Sequence, residues 1–113
     1  MQEKGKKSKI LRTLPREKAF YFFVSIGNYT GESAASLKDF MEKIQKINLK
    51  SLEFHLYRGD FEKWTAEALE DRELAKRIRN LRNLDYSGVM LRQKLYRVVA
   101  ARFREVSHLG ISF

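Results

Sequence analysis

The stretch from Ser51 to Trp64 constrains this chain more than any other. It holds four aromatic side chains, the only tryptophan and one of two histidines. At its middle, Gly59 closes one element in the manner of a helix C-cap. Asp60 follows with a carboxylate suited to accept from the freed N–H groups of the next helix. The expectation is two short apolar helices meeting at a hinge. Phe61, Trp64 and Ala68 recur at i, i+3 and i+7, and Phe54 stands seven residues before Phe61. That spacing predicts that Phe54 and Phe61 face one apolar centre. His55, Arg58 and Asp60 also supply the residue types of a catalytic or anion-binding trio. Such trios recur by chance, and the simpler expectation is a core histidine bonded to a nearby carbonyl or carboxylate, beside a local Arg58–Asp60 ion pair.

The run Phe54-His55-x-x-Arg58-Gly59-Asp60-Phe61-x-x-Trp64 is preceded by Ile26-Gly27-x-Tyr29-Thr30-Gly31-x-Ser33-Ala34-x-Ser36-Leu37-x-x-Phe40. It is followed by Asp71-x-Glu73-Leu74-Ala75. Together these resemble an uncharacterised, mainly archaeal, all-helical family, a domain of unknown function. The resemblance covers roughly residues 18 to 106. It implies a helical domain and no known reaction, so it carries no catalytic residue over to this chain.

The remaining segments support a helical reading. Pro15 suits the first turn of a helix, and the apolar run Ala19 to Val24 fits either a buried strand or a buried helix. Helix is the expectation, because a lone strand has no partner, with Gly27 to Gly31 as the loop that ends it. Ser33 or Ser36 caps the next helix, with Asp39 three residues after Ser36 in a capping-box pattern, and Leu37, Phe40, Met41, Ile44 and Ile47 form a single apolar stripe. Asp71 caps a helix over Arg72 to Arg82 whose apolar side is Leu74, Ala75, Ile78 and Leu81. The last helix, Val89 to His108, turns Leu91, Leu95, Val98, Val99, Phe103 and Val106 inward. The expected fold class is therefore all-α: a compact single-domain bundle of about five helices. Its divisions are a basic, flexible arm at 1–14, the helical domain at 15–109 and a C-terminal tail at 110–113.

The chain's 113 residues suffice for one core, and 43% hydrophobic content argues against disorder of the whole. With no cysteine there is no disulfide framework or thiolate metal site, and two histidines make a transition-metal site improbable. No cofactor is expected. No stretch approaches the ~20 apolar residues of a membrane span, and no signal-peptide core follows the N-terminus, so a cytoplasmic location is expected.

Charge is the functional signal. Against 14 acidic residues stand 23 basic ones, a net charge of +9. The excess sits at the two ends: residues 1–18 carry +5, residues 19–70 carry −2 and residues 71–113 carry +6. Clustering of that kind points to a polyanion partner, whereas a merely charge-rich, thermophile-like surface would spread it. The N-terminal arm offers Lys4, Lys6, Lys7, Lys9 and Arg12, with Arg16 after Pro15. The first basic helix offers Arg72, Lys76 and Arg79 at i, i+4 and i+7, flanked by Arg77 and Arg82. The last helix offers Arg92, Lys94, Arg97 and Arg104, with Arg102 also outward.

Arginine suits bidentate phosphate contacts, and like charges stacked at helical spacing repel until an anion relieves them. The expectation is an RNA-binding accessory or structural protein, ribosome-associated, contacting rRNA phosphates, with neighbouring ribosomal proteins as secondary partners. Two alternatives are a protein-interaction module for an acidic partner and a DNA-associated chromatin-type protein. Phosphate loops, metal-binding helices and nucleophile elbows are missing, so no enzyme and no small-molecule substrate are expected.

Overall fold

The computed structural model describes residues 7–107. A short helical turn at 7–10 leads to a 3-10 turn, Arg16–Lys18. Two antiparallel strands follow, β1 (Phe20–Ser25) and β2 (Asn28–Ala34). Five helices complete the order: α1 (Leu37–Ile44), α2 (Leu49–Arg58), α3 (Asp60–Glu67), α4 (Arg72–Arg82) and α5 (Gly88–Ser107).

The hairpin overturns the all-α expectation. The protein is mixed α/β, a two-stranded sheet laid on a helical body. Phe20 and Phe22 point into the core, while Tyr21 and Phe23 occupy the other face beside Tyr29. Both faces of β1 are therefore apolar, which hides the period of two that would mark a strand. Its partner β2 is polar and contains Gly31, so it reads as loop. The turn at Ile26 and Gly27 places Ser25 opposite Asn28, and Gly27 adopts φ 82°, a conformation that costs glycine little.

Side chains close both outer edges of this small sheet. His55 accepts a hydrogen bond from the Phe23 backbone N–H on the β1 side, at 2.8 Å. Lys43 donates to the Ser33 carbonyl of β2 at 2.6 Å. Capping of this kind blunts the tendency of an exposed strand edge to recruit another chain.

The core is aromatic at its centre. Phe22, Phe40 and Phe61 are fully buried, with Phe40 and Phe61 ring centroids 5.2 Å apart and Phe20 5.1 Å from Phe61. Leucines of α2, α4 and α5 complete it. The α1 stripe lies as its spacing predicts: Leu37, Phe40, Ile44 and Ile47 are buried, and Met41 packs at the edge. Ser36 caps α1 by accepting from the Asp39 N–H, and Asp39 in turn accepts from the Ala35 N–H.

Ile10 and Leu14 also belong to this core, at 0% and 4% exposure. Residues 7–14 are thus part of the folded body, held by apolar burial and by Leu14 N–H donating to the Ala35 carbonyl. The expected arm residues Lys4 and Lys6 lie outside the described residues, as does the tail at 110–113.

Gly59 is the C-cap of α2, in the left-handed region at φ 80°, and α3 begins one residue later. Asp60 makes no capping bond; its carboxylate turns back toward His55 and Arg58. The left-handed residue reorients the helix axis, so spacing counted across it does not hold one face. Phe61 consequently enters the core, while Phe54 is only half-buried and lines a surface groove.

Candidate functional site

The cations of α4 and α5 divide into two sets. Arg77 donates to Glu73 at 2.8 Å and, from both terminal nitrogens, to Glu105 of α5 at 2.9 and 3.0 Å. Those bonds hold Glu105 and Glu73 below the usual carboxylate range. Arg102, expected on the outside, is instead 12% exposed and paired to Asp71, at 3.0 Å from Oδ2. Asp71 is fully buried and caps α4, accepting from the Leu74 N–H. A buried carboxylate at that point requires a counter-ion, and Arg102 supplies it. Arg82 donates to Glu62 at 2.5 Å, Arg92 to the Ile47 carbonyl, and Lys94 lies 5.5 Å over the Tyr86 ring.

The second set is unsatisfied. Arg72, Lys76, Arg79, Arg97 and Arg104 are exposed, and their side chains make no hydrogen bond or ion pair within the described residues. Arg72, Lys76 and Arg79 lie on the side of α4 opposite Leu74 and Ile78. Arg97 and Arg104, seven residues apart, share the outer side of α5. The Arg77–Glu105 bonds tie the two helices together.

Toward the N-terminus the cations are mostly engaged. Lys9 lies 3.1 Å from Glu70, and Arg12 donates to the carbonyls of Lys9 and Ala68 and to Glu70. The Lys9 bond depresses the Glu70 carboxyl. Lys7 is half-buried, and Arg16 is exposed without a side-chain partner in the described residues. Of the fifteen residues offered by sequence reasoning, the structure therefore leaves six as exposed, unpaired cations: Arg16, Arg72, Lys76, Arg79, Arg97 and Arg104.

Sequence reasoning did not find the groove. About 660 Å³ in volume, it runs between β1 and the α2–α3 hinge, lined by Phe23, Ile26, Phe54, His55 and Trp64 among others. Arg58 sits 4.9 Å over the Phe54 ring and donates to Asp60 at 3.1 Å. Trp64 donates from Nε1 to the Lys18 carbonyl at 2.8 Å. The signal available was Phe54 itself, an aromatic on the far side of a helix break.

The His55–Asp60 pair in its floor resembles a catalytic dyad, but its chemistry is already committed. The Phe23 N–H donates to Nε2, so that nitrogen carries a lone pair and the proton resides on Nδ1, facing Asp60 Oδ2 at 2.8 Å. No lone pair remains for a substrate proton. Burial lowers the His55 pKa below 6.5, outweighing the pull of Asp60. The sign of the pH effect follows. A depressed histidine pKa means that the unfolded chain binds more protons below 6.5, so the contribution is complete above that pH and is lost as pH falls. Unfolding midpoints in urea should therefore decline from pH 6.5 toward 5, before the carboxylates titrate, and a His55→Gln variant should show a flatter profile over that range. Parallel profiles would contradict the assignment.

Among the described residues no helix is long and apolar enough to cross a membrane. No curated protein and no solved structure matches the chain. Residues 15–112, nearly all of the chain, match the family of unknown function DUF5752, and the protein therefore belongs to that family.

Proposed function

We propose that this protein binds structured RNA through phosphate contacts along the outer faces of α4 and α5, as a non-enzymatic, cytoplasmic accessory or structural component such as a ribosome-associated protein. One observation carries the reading. The fold neutralises Arg77, Arg82 and Arg102 with its own carboxylates, yet leaves Arg72, Lys76 and Arg79 exposed together on one helical face. Three like charges at i, i+4 and i+7 destabilise an isolated helix by a few tenths of a kcal/mol per pair. A phosphate backbone removes that cost and gains bidentate hydrogen bonds from the guanidinium groups.

Contacts of this kind position an RNA without reading its sequence, and they release counterions. Affinity for a structured RNA should fall steeply with salt. The triple variant Arg72→Glu, Lys76→Glu, Arg79→Glu should bind more weakly and lower the slope of log affinity against log salt by about 2 to 3. These side chains are solvent-exposed, so the variant's circular dichroism and melting should stay close to those of the parent. Indifference to RNA at low salt would end the proposal, and tighter binding to duplex DNA or to polyglutamate would replace it. Sedimentation of the native protein with ribosomes, before and after nuclease, tests the finer assignment.

A further inference from the structure

We infer that the groove beside β1 accepts one unpaired nucleobase of the RNA whose backbone lies on α4. This rests on the phosphate reading above and names what that reading leaves open, namely single-stranded rather than duplex recognition.

The groove has the size and lining of a small planar ligand site. Its volume of about 660 Å³ falls within the roughly 300–1,000 Å³ typical of small-ligand pockets. Phe23 and Phe54, both half-buried, supply aromatic surface, Trp64 lines the groove at 8% exposure, and Ile26 lines it at 79% exposure. Arg58 over Phe54 adds a planar cationic layer, and only its Nε is engaged in a hydrogen bond within the described residues. Bases stack on such platforms without regard to sequence.

Charge decides which part of a nucleotide enters. Lys18, Arg58 and Lys63 line the groove, but so do Glu17, Asp60 and Glu67. A phosphate inside would meet these carboxylates, whereas an uncharged base does not. Farther along α4, Arg72, Lys76 and Arg79 stand exposed, with Glu73 the acidic residue beside Lys76. The two regions adjoin at Glu67, which lines the groove and also a second depression with Ala66, Glu70 and Arg72. Arg72 is the first residue of the α4 stripe. A strand whose phosphates follow that stripe can turn a base across α3 into the groove. Loops and bulges of folded RNA present bases in this unstacked form.

Trp64 is the only tryptophan and lines the groove, so its emission is a single reporter beside the proposed site. The probes are a short single-stranded oligoadenylate, its abasic counterpart, blunt duplex RNA and inorganic polyphosphate, each with the 113-residue chain. Oligoadenylate should quench or shift Trp64 emission, while the three probes lacking an unpaired base should bind with little change. Phe54→Ala should reduce oligoadenylate affinity about tenfold, the equivalent of one lost stacking contact, and should erase the preference over the abasic strand. Arg58→Ala, on the solvent side of the same platform, should act in the same direction. Binding of every probe with silent Trp64 would overturn the groove assignment and leave the phosphate reading standing. Equal quenching by abasic and base-bearing strands would also overturn it. Failure of every probe to bind would overturn both.

Discussion

Asp71→Ala is expected to lower the unfolding free energy by about 3 to 5 kcal/mol, one of the largest losses any surface-distant polar substitution here should cause. Two effects combine. The carboxylate caps α4 by accepting from the Leu74 N–H at 3.1 Å, and losing such a cap typically costs about 1 kcal/mol. The larger share comes from Arg102, 12% exposed, which loses the partner at 3.0 Å and keeps only the Glu105 contact at 3.1 Å. A charge stranded in a low-dielectric site is costly, whereas a hydrophobic residue there is not. Asp71→Ala combined with Arg102→Met should therefore be more stable than Asp71→Ala alone. For a domain of this size a loss of 3 kcal/mol corresponds to a fall in Tm of about 10 to 20 °C. A single substitution within about 1 kcal/mol of the parent in urea unfolding, or a double variant no better than the single, would show that the pair is not a coupled buried unit.

That pair also shows where sequence reasoning reaches its limit. Asp71 was legible as an N-cap, because capping needs only local information: an Asp ahead of Leu74, Ala75 and Ile78 at helical spacing. That the same carboxylate would be buried, and would draw Arg102 inward from 31 positions away, is a tertiary fact with no local sign. The α1 stripe and the Gly59 break were legible for the same reason as the cap. The hairpin was not, since β1 is apolar on both faces and β2 offers no apolar alternation, so neither strand displays the period that would identify it. At the candidate interface the division followed the same line. Spacing located the Arg72, Lys76 and Arg79 face, but which cations the fold would neutralise depended on Glu62 and Glu105 arriving from other helices.

The Gly59 turn also separates two phenylalanines that simple spacing puts together, and their substitutions should diverge accordingly. Phe61→Ala should cost about 3 to 5 kcal/mol. Its ring is fully buried, with centroids of Phe20, Phe22, Phe40 and His55 between 5.1 and 6.2 Å away, so removing it empties the junction of the hairpin, α1 and α3. With total stabilities of such domains near 5 to 15 kcal/mol, the variant should be partly unfolded at moderate temperature. Phe54→Ala removes a ring of equal size from the groove wall, where solvent already reaches it, the His55 ring lies edge-on to it and Arg58 sits over it. Its cost should stay near 1 kcal/mol, because no closed cavity forms and the exposed part of the ring gained little from folding. Urea unfolding of the two variants side by side should separate their midpoints by more than 2 kcal/mol in equivalent free energy. Equal losses would mean that Phe54 is as deeply packed as Phe61. They would also remove the groove as an open, preformed surface, since its wall would then be core.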